Sequence, residues 1–460
     1  MTAGRAPSYW LETAGPLAPR AALQESTRAD VAILGAGLTG LWTAYELLRR
    51  EPSLKVVILE REFAGFGASG RNGGWCSSEL NASLHLLRER FGTDQAVAVQ
   101  RAMYDTVDEV ARVCESEGID ADYEKGGMLL VARGRQQVAA LETAAADYGD
   151  VGLPDHYVRL DAGELGRRVR IAGAVEALFS PHCAVVHPGK LVRGLARAVE
   201  RRGGVIHEQT EVTGYDTESP GPTLRTARGD VHADTIVLAG EAYLTQLRPL
   251  RRRLLPVYSL IVMTEPLPEE AWMEIGWAGR ECMASMRLTI DYLSRTADGR
   301  ILFGGRGAPY NYGSAINPET EHHQGTHDKL RMMLREWFPA ARDARTTHAW
   351  GGVLGVPRDI IPSFTYDRGR GLAMAAGYAG HGVATTNLAG RTLADLITGR
   401  ETELTQLPLA NHHSPEWEPE PLRWLGVRAV QAGLARVDAR AERTGQAPTG
   451  RSIAERLARH

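Results

Sequence analysis

The chain has 460 residues, 43% of them hydrophobic, and a formal net charge of −3. That length exceeds one typical domain and can bury a large core, while the near-neutral charge gives no bulk attraction to nucleic acid. Its four cysteines (Cys76, Cys114, Cys183 and Cys282) show no CxxC or metal-ligand spacing, which argues against a disulfide scaffold or zinc module and suits a reducing, cytoplasmic setting.

Residues 1–28 read as a Pro/Ala-rich lead-in, and Met1–Ser8 lacks the apolar core of a secretory signal. No run of about 18 apolar residues occurs, so no membrane span is expected. The most informative stretch is Asp30–Glu60. A short apolar strand (Val31-Ala32-Ile33-Leu34) runs into Gly35, Gly37 and Gly40 in Gly-x-Gly-x-x-Gly spacing. A helical pattern follows, then a second apolar strand, Val56–Leu59, ending on Glu60. Strand, glycine turn, helix, strand and acid in that order form a dinucleotide fingerprint. The glycines admit a pyrophosphate to the helix N-terminus, and the acid reaches ribose hydroxyls.

A second glycine-rich loop comes directly after the acid, FGASGRNGGW at Phe66–Trp75. Gly65, Gly67, Gly70, Gly73 and Gly74 would let backbone pass close to a flat ring, so the dinucleotide is read as one carrying a flavin. Arg71 and Asn72 would supply polar contacts to flavin or substrate. Residues 84–148 are mainly helical, interrupted by the strand KGGMLLVA. A helix over LVRGLARAVERR stops at Gly203-Gly204, and DTIVLA (Asp234–Ala239) is a strand. Residues 250–345 alternate strand and helix. A third glycine loop, GYAGHG, places Gly377, Gly380, His381 and Gly382 before a helix whose dipole can face the electron-rich end of a flavin. The tail Pro415–His460 is helical and Arg-rich.

The motifs SYWLETAG, GAGLTGL, GASGRNGG, EKGGMLLVA, AVVHPGKLVRGLA, TADGRILFGG and GYAGHGVATTNLAGRTLADLITG, in this order over residues 8 to 400, resemble the D-amino-acid oxidase superfamily of FAD enzymes. The resemblance is to its γ-glutamylputrescine oxidase-like and sarcosine and glycine oxidase-like branch. It implies an α/β fold: a Rossmann-like FAD-binding domain interleaved with an α+β substrate domain on a mixed or antiparallel sheet, plus a helical tail. The expected division is a lead-in (1–28), a discontinuous FAD domain (29–83, 184–247 and 346–405), a substrate domain (84–183 and 248–345) and the extension 406–460. FAD contacts are expected at Gly35, Gly37, Leu38, Thr39, Gly40, Glu60, Arg61, Gly67, Ala68, Ser69, Arg71, Asn72, Gly73, Gly74, Gly240, Gly380, His381, Gly382, Val383 and Ala384. The adenine is expected at the backbone of Val212. Monomeric sarcosine oxidases carry a Lys where this chain has Ala384, and a flavin-linking Cys where HAWGGVLGVPRDIIP has none. Sarcosine is therefore a poor candidate substrate, and FAD should be held non-covalently.

The implied chemistry is C–N oxidation of a small primary or secondary amine. Flavin N5 takes a hydride from the carbon beside a neutral amine nitrogen, the imine hydrolyses, and O2 reoxidises the flavin to give peroxide. An aromatic pocket would favour the neutral amine, and Tyr258, Tyr292, Tyr310, Tyr312 and Trp350 are candidates for it. Arg71, His381 and Tyr292 are the expected catalytic groups. Tyr258, Trp350, Arg287 and Arg306 are the expected substrate contacts, the arginines holding a distal carboxylate or phosphonate. N-oxygenation of a primary amine, electron transfer to another acceptor, and a non-catalytic FAD-binding role stay open as alternatives, as do the identity of the amine and the oligomeric state.

Overall fold

The structure, a computed structural model, describes residues 7–16, 19–218, 221–307 and 309–458. Its first layer is a six-stranded sheet. In spatial order the strands are Ser363–Asp367, Leu372–Ala376, Thr235–Leu238, Val31–Leu34, Val56–Leu59 and Val205–His207. All run parallel except the edge strand Ser363–Asp367. The strands read as apolar runs because both faces are covered. Val31, Ile33, Val56, Ile58 and Val237 pack into a core shared with helices Leu38–Arg50, Thr93–Ser116, Pro188–Arg201 and Gly382–Thr398. The alternate residues Ala32, Val57, Leu59, Ile236 and Leu238 pack against Leu224 and Val231 of a four-stranded sheet. That small sheet is formed by Thr27–Arg28, Val212–Asp216, Thr223–Thr226 and Asp230–His232.

A second body is built on eight strands in the order Thr346–Val356, Leu255–Thr264, Ile301–Arg306, Asp291–Arg295, Cys282–Ser285, Met128–Arg133, Ala174–Ser180 and Val158–Asp161. Its pairings are antiparallel except that of Cys282–Ser285 with Met128–Arg133. One face carries Tyr258, Leu260, Val262 and Phe303 into a core with Trp337 of helix Gln324–Trp337. The other face presents Ile261, Met263, Leu302 and Trp350 to Tyr9 and Trp10.

Three expected boundaries shift. Strand Thr346–Val356 is the edge of the eight-stranded sheet, not part of the FAD segment 346–405, because it pairs along its length with Leu255–Thr264. Helices Leu84–Phe91 and Thr93–Ser116, expected in the substrate domain, belong to the core under the parallel sheet, since Thr93–Ser116 meets helix Gly382–Thr398 and Leu84–Phe91 packs on Thr93–Ser116. The lead-in contains a helix, Tyr9–Thr13, capped by Ser8 and buried at Tyr9, Trp10 and Leu11.

Helices Leu38–Arg50 and Gly382–Thr398 are locked by charge as well as by packing. Arg50 pairs with the fully buried Glu46 and donates from Nε to Asp395 at 2.6 Å. Glu241 makes a different tie. Its Oε2 accepts Gly355 N–H at 2.7 Å, and its Oε1 accepts Gly377 and Tyr378 N–H at 3.0 and 3.2 Å. Burial, opposed by these bonds, pushes the Glu241 carboxyl up to about 7.

Two predictions follow from these ties. Arg50→Ala leaves the buried Asp395 without its cation and Glu46 with Arg49 alone, and should cost about 3–5 kcal/mol. A melting temperature within about a degree of the parent would rule out that role. For Glu241, the folded state keeps a proton that the unfolded chain loses above its ordinary value near 4.5. Stability from this group is therefore complete below pH 4.5 and declines as pH rises through about 7. Glu241→Gln should be less stable throughout, because its NH2 faces N–H donors, yet lack that part of the decline. Urea midpoints from pH 5 to 8, taken as parent minus variant, should fall with pH; a flat difference would refute the assignment.

Candidate functional site

Three glycine loops, far apart in sequence, converge at the C-terminal ends of the parallel strands. The first lies so close to its helix that a Cβ on Gly40 would stand 2.0 Å from the Gly35 carbonyl oxygen. Gly35 itself has φ +101°, and its Cβ would meet the Ala239 oxygen at 2.9 Å, which also sets Gly240 beside it. The second loop is stitched to the first: Leu38 N–H donates to Ser69 Oγ at 2.8 Å, and Gly65 N–H to the Ala36 oxygen at 3.0 Å. The third joins through Thr39 Oγ1 and Tyr378 OH, 2.9 Å apart. Neither Gly37 nor His381, the N-cap residues of the two long helices, makes a side-chain cap bond. Both helix N-termini therefore present backbone N–H groups and a positive dipole end to the site.

Glu60 closes this cradle. It accepts Ala36 N–H at 2.9 Å and Glu62 N–H at 3.0 Å; burial raises its carboxyl, and these two bonds oppose the rise. Glu60 O accepts Thr210 N–H at 2.8 Å, which sets Val212 two residues farther along the same edge. Arg61 lies over the Tyr243 ring at 5.3 Å, and Gly67 packs against that ring. A glycine cradle, two uncapped helix ends and a carboxylate are a donor and acceptor set that fits a dinucleotide carrying a flavin.

The loop Gly65–Gly74 is clamped from several sides. Ser8 Oγ donates to the Gly70 oxygen at 2.6 Å, Trp10 Nε1 to the Asn72 oxygen at 2.8 Å, and Trp350 Nε1 to the Arg71 oxygen at 2.9 Å. Asn72 spends its own amide on Ala68 O, Ser69 O and Gly74 N–H. Arg71 is 4% exposed; its guanidinium donates to Phe66 O at 2.7 Å, pairs with Glu321 at 2.5 Å and stacks on Phe66. These are the described partners of Arg71 and Asn72, the two residues expected to offer polar contacts to flavin or substrate. Their polar atoms shape the loop and fasten it to the substrate sheet.

Of the expected substrate residues, the structure brings Tyr292, Arg306 and His381 together. The Tyr292 ring fills the space over Gly73 and Gly304, where a Cβ would come within 2.5 and 2.2 Å, and its OH meets Ser259 Oγ at 2.9 Å. Burial pushes this phenol up to about 12. Arg306 NH2 donates to the Ala379 oxygen at 2.8 Å, in the third glycine loop. Among the described residues no carboxylate pairs with it. Burial lowers its pKa, but a guanidinium stays charged. His381 is held below its ordinary value by burial and by Arg306, with Glu79 opposing.

Of the others, Trp350 lies on the Tyr292 face of the sheet and the rest face elsewhere. Tyr258 sits one residue out of phase on its strand, so its ring enters the core on the far sheet face and its OH accepts Asn317 N–H. Trp350 is 2% exposed and props the flavin loop. Arg287 pairs with Asp438 and Glu442 of the C-terminal helix Leu422–Thr444. Tyr310 is buried against Glu420, and Tyr312 is 59% exposed. Ala384 is buried in the first turn of its helix. Sequence reasoning missed Trp75, Glu79, Tyr243 and Ser259. Trp75 ends the second glycine loop, the other three lie in no spacing motif, and only strand phase marked Ser259 as facing the site.

The DAO model, described as FAD dependent oxidoreductase, matches residues 30–396. The chain is 32% identical over 400 residues to γ-glutamylputrescine oxidoreductase of Escherichia coli K12, covering 85% of this chain and 89% of that one. It is 25% identical over 392 residues to glycine oxidase of Geobacillus kaustophilus, covering 83% and 96%. The crystal structure of glycine oxidase from that organism superposes with a TM-score of 0.69 at 22% identity, over 84% of this chain and 99% of the other. A family match spanning most of the chain falls on the same three loops that build the dinucleotide cradle, and the chain belongs to the DAO family of FAD-dependent oxidoreductases.

Proposed function

We propose that this enzyme oxidises the C–N bond of a small primary or secondary amine that also carries an anionic group. FAD, when bound, would supply the redox chemistry, accepting the hydride from the carbon beside the amine nitrogen and passing the two electrons to O2 as peroxide, while the imine product would hydrolyse in water. The observation that carries the reading is Arg306, a half-buried guanidinium with no acidic partner among the described residues, set between Tyr292 and the glycine loop of His381. A relative named for γ-glutamylputrescine and another named for glycine both point to amines bearing a carboxylate.

In this reading the chain's own groups prepare the amine. Trp75 and Tyr292, whose rings meet edge to face at 6.3 Å, wall the site and exclude water. Desolvation and the positive field of Arg306 both favour loss of the ammonium proton. His381, neutral at pH 7, leaves a ring nitrogen to take that proton. Glu60, with the helix N-termini at Leu38 and Gly382, holds the cofactor non-covalently.

The purified protein should be yellow, and acid precipitation should release its FAD into the supernatant. Glu60→Ala should weaken FAD retention about tenfold, the worth of one charge-assisted hydrogen-bond pair. Flavin that stays with the pellet would contradict non-covalent binding. For the substrate, Arg306→Ala should cost about 2–5 kcal/mol in binding of anionic amines and much less for neutral ones, read as apparent Kd from anaerobic flavin reduction. Equal effects on both classes would remove Arg306 from the substrate site. Peroxide formed one-for-one with amine consumed supports oxidation; labelled oxygen appearing on the substrate nitrogen would favour N-oxygenation instead.

A further inference from the structure

Glu79 lies just past the short strand Trp75–Ser77 that leaves the flavin loop. Its Oε1 accepts the Tyr157 hydroxyl and stands 3.6 Å from His156 Nε2. Its Oε2 has no hydrogen-bond donor among the described residues, no arginine or lysine pairs with it, and the side chain is 20% exposed. Burial works against its charge, but the His156 contact and the Tyr157 hydroxyl outweigh it, and the carboxyl stays below its ordinary range. An ionised carboxylate is thus held by one oxygen and left open at the other.

Its surroundings are aromatic. His156 stacks on Tyr148 with centroids 3.7 Å apart and 4° between planes, and its Nδ1 meets Tyr104 OH at 2.7 Å. Tyr104 in turn stacks on His182 at 3.8 Å. The His156 side chain is fully buried, and its Nε2, facing the carboxylate, has no hydrogen-bond partner among the described residues. Rings of this kind, with an open carboxylate, are a setting that receives an organic cation. Burial lowers the His381 imidazole, and Glu79 and Arg306 act on it in opposite directions.

A carboxylate beside the reacting nitrogen would favour its ammonium form, against the proton loss that oxidation requires. Its partner is a different nitrogen. We propose that Glu79 is a specificity-determining residue that binds a second, non-reacting ammonium of the substrate, so that the enzyme selects diamine-derived amines over monoamines. This rests on the reading of the protein as an amine oxidase.

The test compares two pairs of amines that differ in one ammonium: 1,4-diaminobutane with butylamine, and γ-glutamylputrescine with its analogue lacking the α-amino group. Apparent Kd is read by anaerobic stopped-flow reduction of the FAD-loaded enzyme. The parent should prefer the member with the extra ammonium about tenfold or more in a pair that it oxidises, and Glu79→Gln should bring that ratio close to one. Glu79→Asp should restore part of the preference, and flavin content and melting temperature report whether each variant is folded. A parent ratio near one overturns the proposal, and so does a Glu79→Gln variant that keeps the parent's ratio or weakens both members equally. If other amines reduce the flavin but neither pair does, the proposal fails and amine oxidation stands. If no amine reduces it, amine oxidation fails as well.

Discussion

Three stretches of chain that have no sequence proximity meet at one carboxylate. Glu241 takes N–H groups from Gly355 on the edge strand of the eight-stranded sheet and from Gly377 and Tyr378 at the start of the third glycine loop. It follows directly on the Ala239–Gly240 turn that packs against Gly35. The two sheets and two of the three cofactor loops are thereby referenced to a single side chain. The arrangement is enforced by need: those N–H groups lie inside the molecule, and an unsatisfied buried donor costs about 1–3 kcal/mol. Without an acceptor here, the third loop would keep the bonds that Ala379 makes with Gly355 and Arg306 but leave these donors unsatisfied.

The same logic sorts the arginines. Arg50, Arg71 and Arg287 are each met by carboxylates, so their charge is spent on structure. Arg71 ties the flavin loop to Glu321, and Arg287 ties the C-terminal helix to the turn after Cys282–Ser285. Arg306 differs because its described bond is to a backbone carbonyl, so its charge remains available in the site. Glu79 is the acidic counterpart, with one oxygen engaged and the other open. Function here is read from charges the fold leaves uncompensated, since compensation is what a purely structural charge requires.

Much of this was legible beforehand, and the limits of legibility have physical reasons. The cradle around Gly35, Gly40 and Glu60 could be read because its constraints are local: a turn, a close helix–strand approach and an acid one strand away. The central strands of the six-stranded sheet, Val31–Leu34, Val56–Leu59 and Thr235–Leu238, could be read from apolar runs, since both faces are buried. Tyr258 was misplaced because an aromatic in an apolar strand gives no sign of which face is wet, and one residue of phase moves a side chain to the other side. Arg287 was misplaced, and the Arg71–Glu321 pair was not legible, because the partners Asp438 and Glu321 are 151 and 250 residues away in the chain.

The sequence by itself determined the dinucleotide cradle, its flavin, the family and the general class of chemistry, because glycine spacing and strand periodicity act over short stretches. Only the tertiary structure decided which charges are spent and which are free. It put Tyr9 and Trp10 of the lead-in beneath the flavin loop, gave strand Thr346–Val356 to the substrate sheet, and set Glu79 among Tyr157, His156 and Tyr104. Pairing of charges and filling of pockets depend on distances across the folded molecule, and no local pattern in the chain encodes those distances.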